Sequence, residues 1–157
     1  MMYKGNGRMI MSERHAYRTN VQWSTKRKGK LSTFGMPTIE VATPPEFPSG
    51  HPDIWSPEHL FVGAAEVCLM TTFLAIAEKS KLQFVNYVSE AEGTLEKTES
   101  GFQVTTIVIR PKVTVTVAED LQRAVKLLHK AEAHCLISNS MKTTVSIEPE
   151  AVLAQLP

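Results

Sequence analysis

Two cysteines, Cys68 and Cys135, and five histidines, His15, His51, His59, His129 and His134, are the side chains best suited to chemistry in this chain. A thiolate is both a nucleophile and a metal ligand, so the cysteines narrow the options first. They lie 67 residues apart and form no Cys-x-x-Cys pair. Neither a thioredoxin-type motif nor a zinc knuckle is therefore indicated. The histidines show no His-Glu-x-x-His or other compact ligand spacing, and surface positions are expected for all five. Gly-x-Ser-x-Gly, P-loop and dinucleotide fingerprints are absent. Cys68 lies within a long apolar stretch, where a free Cys commonly packs as a small hydrophobe. Cys135 follows His134 in the polar segment HCLISNS. The pair allows a disulfide, but sequence separation says nothing of distance in space. A Cys-His hydrolase using Cys68 would need a histidine delivered by the fold, and that option stays open here.

These residues need a scaffold, and 157 residues fit one domain. The apolar fraction of 43% and charged fraction of 21% are those of an ordinary globular protein. The formal charge of +1 points to neither nucleic acid nor a membrane surface. The one dense basic run, Lys26, Arg27, Lys28 and Lys30, is short and lacks interleaved aromatics, as in a solvated turn. No run of 18 apolar residues occurs, so no transmembrane helix is expected. The first residues lack the apolar core of a signal peptide, and a cytoplasmic location is expected. In that compartment thiols stay reduced, so the cysteines are fillers, ligands or redox groups rather than a structural framework. Residues 1–14 read as a flexible extension and 15–157 as a single domain.

HAYRTNVQW, His15 to Trp23, reads as a strand, and KRKGK as a turn with Gly29 at its positive-φ position. LSTFGMPTIEV is the return strand, and the Pro-rich TPPEFPSGHPDIWSP is a loop. Ser56 and Pro57 supply an N-cap and a first helical residue. The helix that follows is apolar almost all round, the pattern of a buried central helix. Two strands meet at a turn near Glu99-Ser100-Gly101. A second helix spans about Ala118 to Ala133, with Leu121, Ala124, Val125, Leu128 and Ala131 on one face. HCLISNS is a loop, and a last strand lies near KTTVSIEP. The order of strands, helix, strands, helix, strand is an α+β pattern.

SPEHLFVGAAEVC, followed much later by AHCLISNS, resembles the osmotically inducible protein C and organic hydroperoxide resistance family, OsmC/Ohr. In that family the central helix opens with Pro-Glu, and a peroxidatic Cys follows ten residues after the Glu. Glu58 and Cys68 match that spacing, and Cys135 matches the family's second Cys. KRKGK resembles the basic turn of the family's amino-terminal hairpin, which aligns Arg27 with its arginine. Leu136 replaces a common Pro, and Glu66 stands where a small residue is usual. Two helical residues turn the chain by about 200°, so Glu66 is expected to point away from the thiol.

The resemblance implies antiparallel sheets wrapped around two central helices in an intertwined homodimer. It also implies a cysteine peroxidase of the oxidative stress response. Cys68 would attack a hydroperoxide as thiolate, and Cys135 would close the redox-active disulfide. Arg27 would favour the thiolate, and Glu58 would hold Arg27. No metal or organic cofactor is implied; the reductant would be an external dithiol, with lipoyl groups the family's choice. Ten residues of helix rise about 15 Å, so Glu58 cannot reach Cys68 along one straight helix. Two central helices packed antiparallel about a two-fold would bring Glu58 of one protomer to Cys68 of the other. A non-catalytic redox-sensing or small-molecule-binding protein on the same fold is the alternative.

Overall fold

The structure, a computed structural model, describes residues 14–155. The expected extension, residues 1–14, lies outside the described residues except for Arg14. The chain runs β1 (Asn20–Thr25), β2 (Lys28–Ser32), β3 (Ile39–Ala42), α1 (Pro57–Lys79), β4 (Phe84–Thr98), β5 (Gly101–Val115). It ends with α2 (Asp120–Ala133), α3 (Leu136–Asn139), β6 (Thr144–Ile147) and β7 (Glu150–Leu153). This is the expected α+β arrangement, with two sheets and two main helices.

β1, β2 and β3 form an antiparallel sheet in sequence order. The first strand starts later than His15, at Asn20. Its turn is also displaced. Thr25 pairs with Lys28, so Lys26 and Arg27 make the turn, and Lys26 itself takes φ 48°. The Trp23 indole N–H donates to the Lys26 carbonyl at 2.9 Å and ties the turn down. Gly29 is not the turn residue but a strand residue paired with Trp23. A Cβ there would lie 2.8 Å from the Gln22 carbonyl oxygen, so the close approach of β1 and β2 calls for glycine. The return segment divides at Gly35, φ 77°, into the end of β2 and the separate β3.

β4 and β5 form a long antiparallel hairpin from Phe84↔Val115 to Thr98↔Gly101. The other edge of β5 carries β6 and then β7 end to end, both parallel to it. This sheet is therefore mixed rather than purely antiparallel, and β7 is a strand the sequence pattern did not separate from β6. Pro111 explains the break. β6 ends opposite Ile109 and β7 begins opposite Lys112, so the residue without an N–H falls in the gap. Ile107, Ile109, Pro111, Val113 and Val115 alternate inward along β5 and are all buried.

The core lies between this face, α1 and α2. Ala65, Leu69, Phe73 and Ala77 of α1 meet Ala124, Leu128 and Ala131 of α2 and the inward residues of β5. The rings of Phe84 and Tyr87 close over Phe73, each 5.6 Å away. Burying a side chain such as Leu69 or Phe73 contributes about 1.5–3 kcal/mol. α2 starts at Asp120, two residues after the expected Ala118, because Ala118 and Glu119 form a turn. α1 starts where expected. Ser56 accepts from the His59 backbone N–H, and Pro57 is the first helical residue.

α1 differs from expectation in one respect. With mean hydropathy 2.0, it is long and apolar enough to cross a membrane by length and composition, although its apolar run is broken by polar residues. Only 28% of that stretch is buried within the chain, although one face packs on the core.

Candidate active site

Cys68 sits midway along α1, next to the core residues Ala65 and Leu69 and almost wholly buried at 8% exposure. The packing of α1 on α2 brings the end of α2 over it. α2 closes at His134, whose N–H donates to the Ala131 carbonyl at 3.1 Å. Cys135 then takes an extended conformation, φ −69° and ψ 103°, and caps α3. The segment read as a loop therefore contains one short helical turn. That turn holds Cys135 at 1% exposure, facing Cys68. Two thiols 67 residues apart in the chain meet in space.

Their surroundings differ. The Ser138 hydroxyl donates to the Cys135 sulfur at 3.2 Å. Burial pushes the Cys135 thiol up, but the Cys68 thiol, Ser138 and the N–H groups of Ser138 and Ile137 outweigh it, and the net shift is down. Cys68 moves the other way. Burial raises it, as does donation of its proton towards Cys135, while the Ile137 N–H and Thr72 oppose the rise. The Thr72 hydroxyl lies 4.0 Å from its sulfur, one turn along α1. Of the two, Cys135 is therefore the thiol that ionises more readily and Cys68 the one that holds its proton more firmly.

No histidine is among the groups that perturb either thiol. His134, adjacent to Cys135 in sequence, points its Nδ1 at the Lys130 carbonyl, 2.8 Å away. His59 Nδ1 lies 2.8 Å from the Ser56 hydroxyl within the α1 capping box, and His129 faces Glu132 at 3.6 Å. The hydrolase option therefore lacks its base around Cys68 among the described residues. Nor do the described residues hold any group of three or more His, Cys, Asp or Glu suited to a metal ion.

Arg27 and Glu58 are not brought to the thiols within the chain. Arg27 is exposed in the β1–β2 turn and makes no ion pair among the described residues. Glu58, on the first turn of α1, lines a groove of about 640 Å³ between α1, β4 and the Pro-rich loop. Phe47, Trp55, Val62 and Leu95 give the groove apolar walls, and Glu66 lies along it. The Glu58 Oε2 is buried there with no hydrogen-bond partner among the described residues. Glu66 points away from the thiol as expected and accepts from the Ser89 hydroxyl at 2.6 Å. Ser138 was not singled out in the sequence, because only the fold of α3 turns its hydroxyl onto the Cys135 sulfur.

A family model described as OsmC-like protein matches residues 50–150, and the chain belongs to this family, the OsmC/Ohr family. It is 29% identical to the Bacillus subtilis protein YmaD over 146 residues, 90% of this chain and 95% of that one. The structure is similar to that of an OsmC-like protein of unknown function from Vibrio cholerae. The TM-score is 0.79 at 28% identity, covering 87% of this chain and 99% of the other. The fold is also that of an organic hydroperoxide resistance protein from Legionella pneumophila. There the TM-score is 0.66 at 23% identity, over 88% of this chain and 99% of the other.

Proposed function

We propose that the protein is a cytoplasmic, cysteine-based peroxidase that reduces organic hydroperoxides and is recycled by an external dithiol. The observation that carries this reading is the meeting of Cys68 and Cys135, distant in sequence and adjacent in a reduced, nearly water-free site. Membership of the OsmC-like family supports it. The Cys68 thiolate attacks one peroxide oxygen, the S–O bond forms as the O–O bond breaks, and an alkoxide leaves. The Cys135 anion then attacks the Cys68 sulfenic acid, forming the disulfide and expelling hydroxide, which leaves as water. A dithiol such as a lipoyl group returns two electrons by exchange.

The upward shift of the Cys68 thiol sets a requirement, because the nucleophile must be the thiolate. A cation beside Cys68 would favour its thiolate and leave a proton on Cys135, which then delivers it to the departing alkoxide. Arg27 is assigned this role, held by Glu58 through a bidentate pair. Neither side chain makes an ion pair among the described residues, which fits their meeting across a two-fold dimer interface. The exposed apolar side of α1, with Phe61, Val67 and Leu74, offers such an interface, as do Val21, Trp23, Phe34 and Met36 of the β1–β3 region.

The test is peroxide consumption by the purified protein with dihydrolipoamide, comparing tert-butyl hydroperoxide with hydrogen peroxide. Wild type should turn over, preferring the organic substrate. Cys68→Ser should be inactive though folded, and Cys135→Ser should complete one turnover without forming the disulfide. Full activity in Cys68→Ser would sink the mechanism.

A further inference from the structure

Ser138 has no part in the scheme so far, yet its hydroxyl points at the Cys135 sulfur from 3.2 Å. The two sulfurs of a Cys68–Cys135 disulfide would be unequal in two independent ways. Cys68 keeps 8% of its surface accessible and Cys135 only 1%, so an incoming thiolate finds Cys68 first. Cys135 also has a built-in donor for a departing anion, whereas the hydroxyl nearest Cys68, that of Thr72, is at 4.0 Å. In thiol–disulfide exchange the sulfur whose anion is better stabilised leaves faster. We propose that Ser138 is a positioning residue that makes Cys135 the leaving group, directing the reductant to Cys68.

The inference rests on the Cys68–Cys135 disulfide of the proposed function. One thiolate of the dithiol attacks the Cys68 sulfur, and the Cys68–Cys135 bond breaks. Cys135 departs as a thiolate that accepts the hydrogen bond from Ser138. The mixed disulfide stands on Cys68 until the second thiol of the reductant displaces it, leaving the reductant as its own disulfide and Cys68 reduced. The depressed Cys135 thiol of the reduced protein fits this, since the same donors serve the product of the step. Backbone N–H groups of Ile137 and Ser138 contribute, so removing the hydroxyl should weaken the effect rather than abolish it.

The disulfide is best made with diamide, which needs no peroxide activity. The oxidised protein is then treated with cysteamine, quenched in acid, alkylated with N-ethylmaleimide and mapped by mass spectrometry. Cysteamine should appear on Cys68 and maleimide on Cys135. Ser138→Ala should be reduced by dihydrolipoamide about threefold to tenfold more slowly, the scale of one lost hydrogen bond to a charged sulfur. Its Cys135 thiol should titrate at higher pH than in wild type. Ser138→Thr, which keeps the hydroxyl, should restore both, which a purely structural role would not predict. Cysteamine on Cys135 of the wild type, or wild-type reduction by Ser138→Ala, overturns the proposal, as does failure of diamide to form the disulfide. Adducts on Cys68 without any peroxide consumption would uphold this inference and remove the peroxidase reading alone.

Discussion

A thiol in the middle of an apolar helix has two reasons to stay protonated, and Cys68 shows both. Burial removes the solvation its anion would have, and its proton is donated towards the neighbouring Cys135. The pH dependence follows from these signs. Cys135, shifted down, should carry a thiolate below the ordinary thiol range of about 8.5, and ultraviolet thiolate absorbance should lose that component in Cys135→Ser. Cys68 is shifted up, and on the proposed mechanism a nearby cation would have to offset that shift. Arg27→Ala should therefore slow the second-order reaction with a hydroperoxide most at low pH. The rate should recover as rising pH forms the thiolate unaided. Stopped-flow rates across pH would show this. An unchanged profile would move the role to Arg14, Arg18 or Lys26.

α1 must present its thiol at a fixed height and rotation, and its start is what sets both. Ser56 is fully buried and satisfies the His59 N–H, while the His59 ring turns back towards the Ser56 N–H at 3.4 Å. This is a capping box with histidine in the place usually held by Glu or Gln. Ser56→Ala should cost about 1 kcal/mol, read as a lower urea midpoint with an unchanged slope at fixed protein concentration. The rate of Cys68 oxidation should change little, because the helix is also held by Leu69, Phe73 and Ala77 in the core. A loss of several kcal/mol would mean that the cap also organises the Pro-rich loop. At the far end of the site, α3 gives Cys135 its setting through Ser138 and the Asn139 N–H, which donates to the Cys135 carbonyl at 3.0 Å.

Taken as a whole, the single chain leaves too much apolar surface in water. Val67 is 55% exposed on α1 and Trp23 73% exposed on β1. In the proposed dimer a second copy would cover this surface and also bring Arg27 and Glu58 to the thiols. Val67→Lys places a charge on that face without touching the buried side of α1. It should yield a folded monomer by sedimentation equilibrium and circular dichroism, and peroxide turnover should fall with the dimer. A fully active monomer would show that each chain completes its own site.

The elements were largely legible in the amino-acid order because their signals are local. Ser56-Pro57 marked the start of α1, alternation marked β4 and β5, and one apolar face marked α2. The Glu58-to-Cys68 spacing and the distant Cys135 marked the family, since those are relations within the chain. Tertiary structure decided the rest. The turn fell at Lys26-Arg27 because β1 and β2 approach too closely at Gly29 for a side chain, a contact between strands. β7 separated from β6 because both pair with β5 around Pro111, which only the sheet register reveals. Above all, the fold makes Cys135 rather than Cys68 the more readily ionised thiol. It does so because α2 and α3 fold back over α1, setting the Ser138 hydroxyl and the N–H groups of Ile137 and Ser138 against Cys135, whereas Cys68 meets the Ile137 N–H and a Thr72 hydroxyl at 4.0 Å.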